Sequence, residues 1–207
     1  MGLVETCPQC GWTFDTEALQ ANTCKKCRSA LLVTSIAYLE KFDRPAIQKY
    51  IVRNSELLKR DPDDRDALLS MGLCYLHLGL YDVTEKFLGR LIDAHPEMAS
   101  GYYYKAIASF KGHRPQVLAL QVVRASEQLL LTAITLDPGN GRYDAVLAAV
   151  RHDYYVLNGL RVPAPSPTAL MEGARRKHLD RNEVAQALAL MNVSESSFCA
   201  EILAKHN

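Results

Sequence analysis

Residues 65–98, RDALLSMGLCYLHLGLYDVTEKFLGRLIDAHPEM, decide the fold. Leu68, Met71, Gly72 and Tyr75 recur at helical spacing and form one apolar stripe. Gly72 carries no side chain, so a second helix can approach closely there. Gly79 offers the left-handed backbone that ends a helix. Val83, Phe87, Leu88 and Leu91 make a second stripe, which Pro96 stops. The reading is a helical hairpin.

One hairpin cannot bury its own apolar face, so neighbours are expected on both sides. Asp61-Pro62 lies 34 residues before Pro96, and Asp137-Pro138 lies 42 after it. Each proline follows a paired apolar step: Leu57-Leu58, Leu91-Ile92 and Ala133-Ile134. Three units follow, over 31–64, 65–98 and 99–140, the third with eight additional residues. The order and spacing of Gly72, Tyr75, Gly79, Tyr81 and Pro96 resembles the 34-residue tetratricopeptide repeat. Leu68 stands where that family usually has Trp, Thr84 and Leu91 where it has Ala, and Leu88 where it has Phe.

The resemblance implies a protein-binding concave face lined by the first helix of each repeat. In the middle repeat its positions would be Asp66, Leu69, Leu73, Leu76 and His77, and in the third Ser100, Tyr103, Ile107, Phe110 and Lys111. Leu69, Leu73, Leu76, His77, Tyr103, Ile107, Phe110 and Lys111 are the expected groove for a partner peptide or helix. Relatives that bind chaperone tails carry Lys, Asn and Arg at several such positions. Leu69, Leu73, Tyr103 and Ile107 stand here instead, so no carboxylate clamp is expected. The alternative is that the C-terminal segment folds back and fills the groove.

Ahead of the repeats, Cys7-Pro-Gln-Cys10 and Cys24-Lys-Lys-Cys27 form two CxxC pairs thirteen residues apart. Two residues between cysteines let a tight turn present both sulfurs to one ion, and two such turns complete a tetrahedral site. Pro8 and Gly11 suit the turn, while Trp12 and Phe14 offer apolar cover. So short a segment cannot fold on a hydrophobic core alone, and structural zinc can contribute about 10–16 kcal/mol in such modules. The segment resembles a zinc ribbon with rubredoxin-like knuckles, zinc being favoured over iron. Four thiolates leave no open coordination position, which excludes catalysis by this metal.

The remaining sequence adds helices. From Ser29 or Ala30 the pattern becomes helical almost without a linker, so the ribbon should abut the first repeat. No Gly or Pro intervenes between Gln116 and Leu136, and the eight extra residues are expected to lengthen that helix by about two turns. Residues 141–159 read as a capping helix and 161–167, with three prolines, as an extended linker. Helices are expected at Thr168–His178, Asp180–Met191 and Ser194–Lys205, with Asp180 and Glu183 as a capping box.

A net charge of +1 gives no push toward nucleic acid or an anionic membrane. No apolar run of about 18 residues could span a bilayer, and no signal-peptide core opens the chain. No phosphate-binding loop, nucleophile elbow or paired-carboxylate constellation appears. The expected protein is therefore mainly α and non-enzymatic: a zinc ribbon at 1–29, a short repeat solenoid at 30–160, a linker at 161–167 and a small helical unit at 168–207. A cytoplasmic adaptor binding a protein partner is the first reading. A nucleic-acid factor using the ribbon or tail is second, and a thiol-based redox or metal switch third.

Overall fold

Asp and Ser residues start several of the helices. The side chains of Asp43, Asp64, Ser166 and Asp180 each accept a hydrogen bond from the backbone N–H three residues on. The computed structural model describes residues 4–15, 23–193 and 197–204. A two-stranded antiparallel ribbon, β1 (Val4–Thr6) and β2 (Thr13–Asp15), comes first. The helices follow: α1 (Ile36–Leu39), α2 (Arg44–Arg60), α3 (Arg65–His77), α4 (Tyr81–Ala94) and α5 (Ala99–Ser109). After them come α6 (Leu120–Leu136), α7 (Gly141–Arg151), α8 (Pro167–Arg175), α9 (Arg181–Leu190) and α10 (Ser197–Leu203).

Successive helices from α2 to α7 pack side by side, giving a mainly α repeat stack. The middle hairpin follows its sequence closely. A Cβ on Gly72 would meet Leu88 Cδ2 at 2.5 Å, so with glycine there α3 and α4 approach closely without displacing Leu88. Gly79 holds φ +72 at the turn. Tyr75 stacks on Phe87, ring centroids 5.6 Å apart, tying the two stripes together.

The first and third units depart from expectation. Residues 30–35 are not helical, and α1 is a single turn. Tertiary hydrogen bonds hold this stretch extended: Val33 N donates to Ser70 Oγ on α3 (3.0 Å), and Ala30 N to Tyr38 Oη (2.9 Å). In the third unit the additional residues do not extend α6 by two turns. They form a loop with a 3-10 turn at Pro115–Val117, and α6 begins only at Leu120. The loop is pinned because Asp153, buried in the π-helical turn His152–Val156, accepts from Gln116 N (2.8 Å) and pairs with Arg114. Val123 is buried as a result, but Val117 stays 70% exposed.

Beyond α7 the proline segment is anchored to the stack. Arg151, 4% exposed, pairs through Nε with Glu127 Oε1 on α6 (2.6 Å) and donates through Nη1 to the Pro165 carbonyl (2.5 Å). Tyr155 donates to the other Glu127 oxygen at 2.9 Å. The segment thereby returns α8 to pack on α7, where a Cβ at Gly141 would strike the Ala174 carbonyl oxygen at 2.5 Å. Residues of α8, α9 and α10 belong to the same apolar core as α2 to α7.

Candidate functional site

The two knuckles share one backbone design. Gly11 N donates to the Cys7 carbonyl (3.0 Å), and Arg28 N to the Cys24 carbonyl (2.8 Å). Cys7 N and Cys24 N close the turns onto Trp12 and Ser29 carbonyls (2.8 and 2.9 Å). The residue after each second cysteine is left-handed, Gly11 at φ +70 and Arg28 at φ +60. Glycine occupies that conformation freely, whereas Arg28 adopts it at a cost of roughly 1–2 kcal/mol.

These turns bring together Cys7, Cys10, Cys24 and Cys27, whose sulfurs all lie within 4.8 Å of one another. Cys7 Sγ is 3.7 Å from Cys27 Sγ and Cys10 Sγ 3.8 Å from Cys24 Sγ. A tetrahedron with metal–sulfur bonds of about 2.3 Å puts its sulfurs about 3.8 Å apart, whereas a disulfide needs about 2.05 Å. The spacing therefore fits a metal and not cross-linked thiols. Cys7 and Cys24 are buried, with Leu31 and Trp12 against them, and Cys10 and Cys27 face solvent. Burial pushes the Cys7 thiol up to about 12, while hydrogen bonds from Ser29 lower Cys27 to about 6. A buried thiolate is tenable only beside a compensating cation, which a divalent metal bound by these four residues would supply. Lys25, Lys26 and Arg28 are exposed on the second knuckle, where they offset the excess negative charge of four thiolates. The side chain of Phe14 lies outside the described set.

The cluster is bolted to the first unit, as the missing linker implied. Tyr50 Oη donates to the Ala30 carbonyl (2.9 Å) and lies 3.1 Å from Tyr38 Oη. Arg53 Nη1 donates to the Leu31 carbonyl (2.8 Å). A cleft of about 590 Å³ remains between the first knuckle and the outer side of α2.

The expected groove is not an open surface. Leu69 is 4% exposed, and Leu73, Leu76, Tyr103, Ile107 and Phe110 are at 0–1%. His77 is half-buried and Lys111 exposed, its Nζ 2.7 Å from Asp82. The chain itself covers the face: α1 packs on α3, and α9 packs on α1 and α7. Arg142 adds its guanidinium over the rings of Tyr103 and Tyr143, about 5 Å from each centroid. An open peptide groove at these residues is thus corrected to an internal one. The physical reason is apolar: Val184, Ala187 and Leu188 are fully buried where α9 packs beside α1 and α7.

Glu183 locks this closure, and sequence reasoning gave it a different task. Its backbone N–H is capped by Asp180 (3.1 Å), but its carboxylate does not return the bond as a capping box would. Instead Oε1 accepts from Ile36 N (3.2 Å) and from Tyr104 Oη, and Oε2 from Ala37 N (3.0 Å). These are the first N–H groups of α1, an anion site at a helix start. Glu183 is fully buried, and the burial of Tyr104, together with the Glu183 charge, holds that phenol well above its ordinary range. Two bases of the run at 175–178 are likewise paired: Arg175 meets Glu201 (3.4 Å) and Lys177 meets Asp144 (2.6 Å).

No family model matches this chain, and no curated protein does. Among solved structures, a crystal structure of MamA is similar with TM-score 0.50 at 17% identity, covering 83% of this chain and 95% of that one. Another, of MamA protein, gives 0.46 at 18% identity over 77% and 76%. MamA 41-end from Desulfovibrio magneticus RS-1 gives 0.45 at 18% over 78% and 86%. The first of these likenesses supports the fold, a TPR-like helical solenoid. Among the described residues no helix is long and apolar enough to cross a membrane.

Proposed function

We propose that the chain is a non-enzymatic protein-interaction scaffold in which zinc, held by Cys7, Cys10, Cys24 and Cys27, staples the N-terminal ribbon to a repeat stack. In this reading residues 1–29 form the metal module, 30–160 the stack, 161–167 its anchored connector and 168–207 the segment that closes its inner face. Bound zinc would neutralise the four thiolates and cross-link the knuckles. The observation that carries the reading is the rigid seam between a four-sulfur cluster and a stack of helical hairpins, a frame suited to presenting surfaces. Partner contact is assigned to the outer surfaces, because the inner face is occupied by the chain's own helices. A cytoplasmic, reducing setting keeps the thiolates available to metal.

Affinity capture with the intact zinc-loaded chain tests this, run with and without nuclease beside direct DNA and RNA titrations. A protein partner that survives nuclease supports the scaffold. Submicromolar nucleic-acid binding at physiological salt, lost with Arg175 and Arg176 changed to Ala, would favour the nucleic-acid factor instead.

A further inference from the structure

Among the described residues eight large aliphatic side chains are exposed, and five of them lie on two joined segments: Val117 and Leu120 in the loop leading into α6, and Val156, Leu157 and Leu160 in the turn after α7. Val117 is 70% exposed and the others between 37% and 46%, whereas the adjacent Leu118 and Val162 pack on the core. Polar contacts hold the two segments side by side. Asn158 Nδ2 donates to the Gln116 carbonyl (3.1 Å), Gln116 N donates to Asp153 (2.8 Å), and Leu160 N folds back on the Tyr155 carbonyl (2.8 Å). Single exposed aliphatic residues are ordinary, but five on two joined turns make a patch.

The patch is also short of carboxylates. Neither 111–126 nor 154–171 contains Asp or Glu. Asp153 is buried and held by Arg114, and Glu127, behind Tyr155, is buried and held by Arg151. Lys111 is spent on Asp82 (2.7 Å). Two cations keep their charge. Arg161 follows Leu160, is exposed and has no ion pair among the described residues, and Arg124 lies exposed beside the neutral Tyr155 phenol.

We propose that this end of the stack docks on a lipid bilayer carrying anionic headgroups, with Val117, Val156, Leu157 and Leu160 entering the acyl boundary and Arg161 and Arg124 at headgroup level. The inference goes beyond the scaffold reading and does not rest on it. Size and composition select the occupant. A stable dimer buries about 800 Å² on each partner, more than five aliphatic tips supply. Protein hot spots centre on Trp, Tyr or Arg in packed pockets, and these turns offer aliphatic tips instead. A bilayer asks for neither register nor groove, and its attraction grows with the apolar area buried and with the bases that face anionic lipid. The overall charge of +1 supplies no such attraction, so it comes from the local balance within about a Debye length of the patch.

The test is co-sedimentation of the full zinc-loaded chain with vesicles of phosphatidylcholine, either plain or with about a third phosphatidylglycerol. Binding should be reversible, stronger on the anionic vesicles and weakened by salt. Leu157→Asp combined with Leu160→Asp should lower the partition coefficient about tenfold or more, and Arg161→Glu about fivefold or more. Leu80→Asp, which changes an exposed leucine at the turn between α3 and α4, should bind as the parent chain does. All four positions are exposed, so circular dichroism should show every variant folded. Absence of binding to anionic vesicles, indifference to the paired aspartates, or an equal loss in Leu80→Asp overturns the proposal. So does a dimer or a captured protein that the paired aspartates remove while vesicle binding persists, since the patch would then be a protein interface.

Discussion

Among the described residues, 4–31 bury Leu31 and part of Trp12 against two cysteines, whereas 33–202 share one continuous core of leucines, tyrosines, alanines and valines. The two regions are joined by short polar contacts, Tyr50 to Ala30 and Arg53 to Leu31. Side chains that fill space hold the stack, and four sulfur atoms hold the ribbon. The difference teaches that one chain can carry two separately breakable orders. A chelator addresses the first and a cavity or clash the second.

The sharpest way to divide them is to remove one sulfur. Cys10→Ser should eliminate zinc binding, read by metal analysis, and with it about 10 kcal/mol or more of local folding free energy. Amide exchange should become fast through 4–31 while helical circular dichroism changes little. Loss of the helices in that variant would show the two regions to be one cooperative unit.

The reverse cut is made at the Arg151–Glu127 pair. Glu127→Ala leaves a buried guanidinium without its charge partner and should cost about 3–5 kcal/mol in a denaturant titration. Replacing both by Met and Leu should recover much of that loss. Zinc stoichiometry should stay unchanged in either variant, since neither residue touches the ribbon.

A smaller effect is expected at Gly72→Ala. Its new methyl meets the end of the Leu88 side chain, which can turn away, so the cost should be about 1–3 kcal/mol. Arg28→Gly should act on the ribbon alone, slowing zinc loss to a chelator by relieving about 1 kcal/mol of left-handed strain. A ribbon insensitive to Arg28→Gly would mean that the metal, not the turn, sets its lifetime.

The mildest probe is pH. Burial lowers His152 below its ordinary value of 6.5, where its ring stacks on Phe198 at 4.2 Å. A lowered value means that the unfolded chain takes the proton first. The stability of this contact is therefore complete above the unfolded value and is lost as pH falls below it. Melting temperature should decline from about pH 7.5 to about pH 5.5, less steeply in His152→Phe, which keeps the stack without a titrating ring.

Legibility followed the range of the forces. The middle hairpin could be read because its cause is local: Gly72 against Leu88, Gly79 in its turn, Tyr75 on Phe87. The sulfur cluster could be read because two short turns specify it. What escaped depends on distant partners. Leu31 and Val33 are buried around a half-exposed Leu32, an alternation that signals extended chain, but Ser70 is what fixes it. The loop from Gln116 to Ala119 is set by Asp153, some forty residues on, and no Gly or Pro within that stretch announces it. Glu183 reads as a capping residue because Asp180 precedes it by three. Only the folded stack shows its carboxylate turned toward α1.

The bonds from Ile36 and Ala37 to Glu183 span 147 and 146 residues. During synthesis, then, the start of α1 leaves the ribosome long before its acceptor has been made. The first hairpins emerge with Tyr104 lacking its Glu183 partner, and it stays so until α9 follows. A nascent chain of this design leaves its inner face open until α9 has been made. Its dependence on chaperones should fall once α9 is available, and a stop placed at residue 160 should yield a product prone to aggregation, although every hairpin of the stack has been translated.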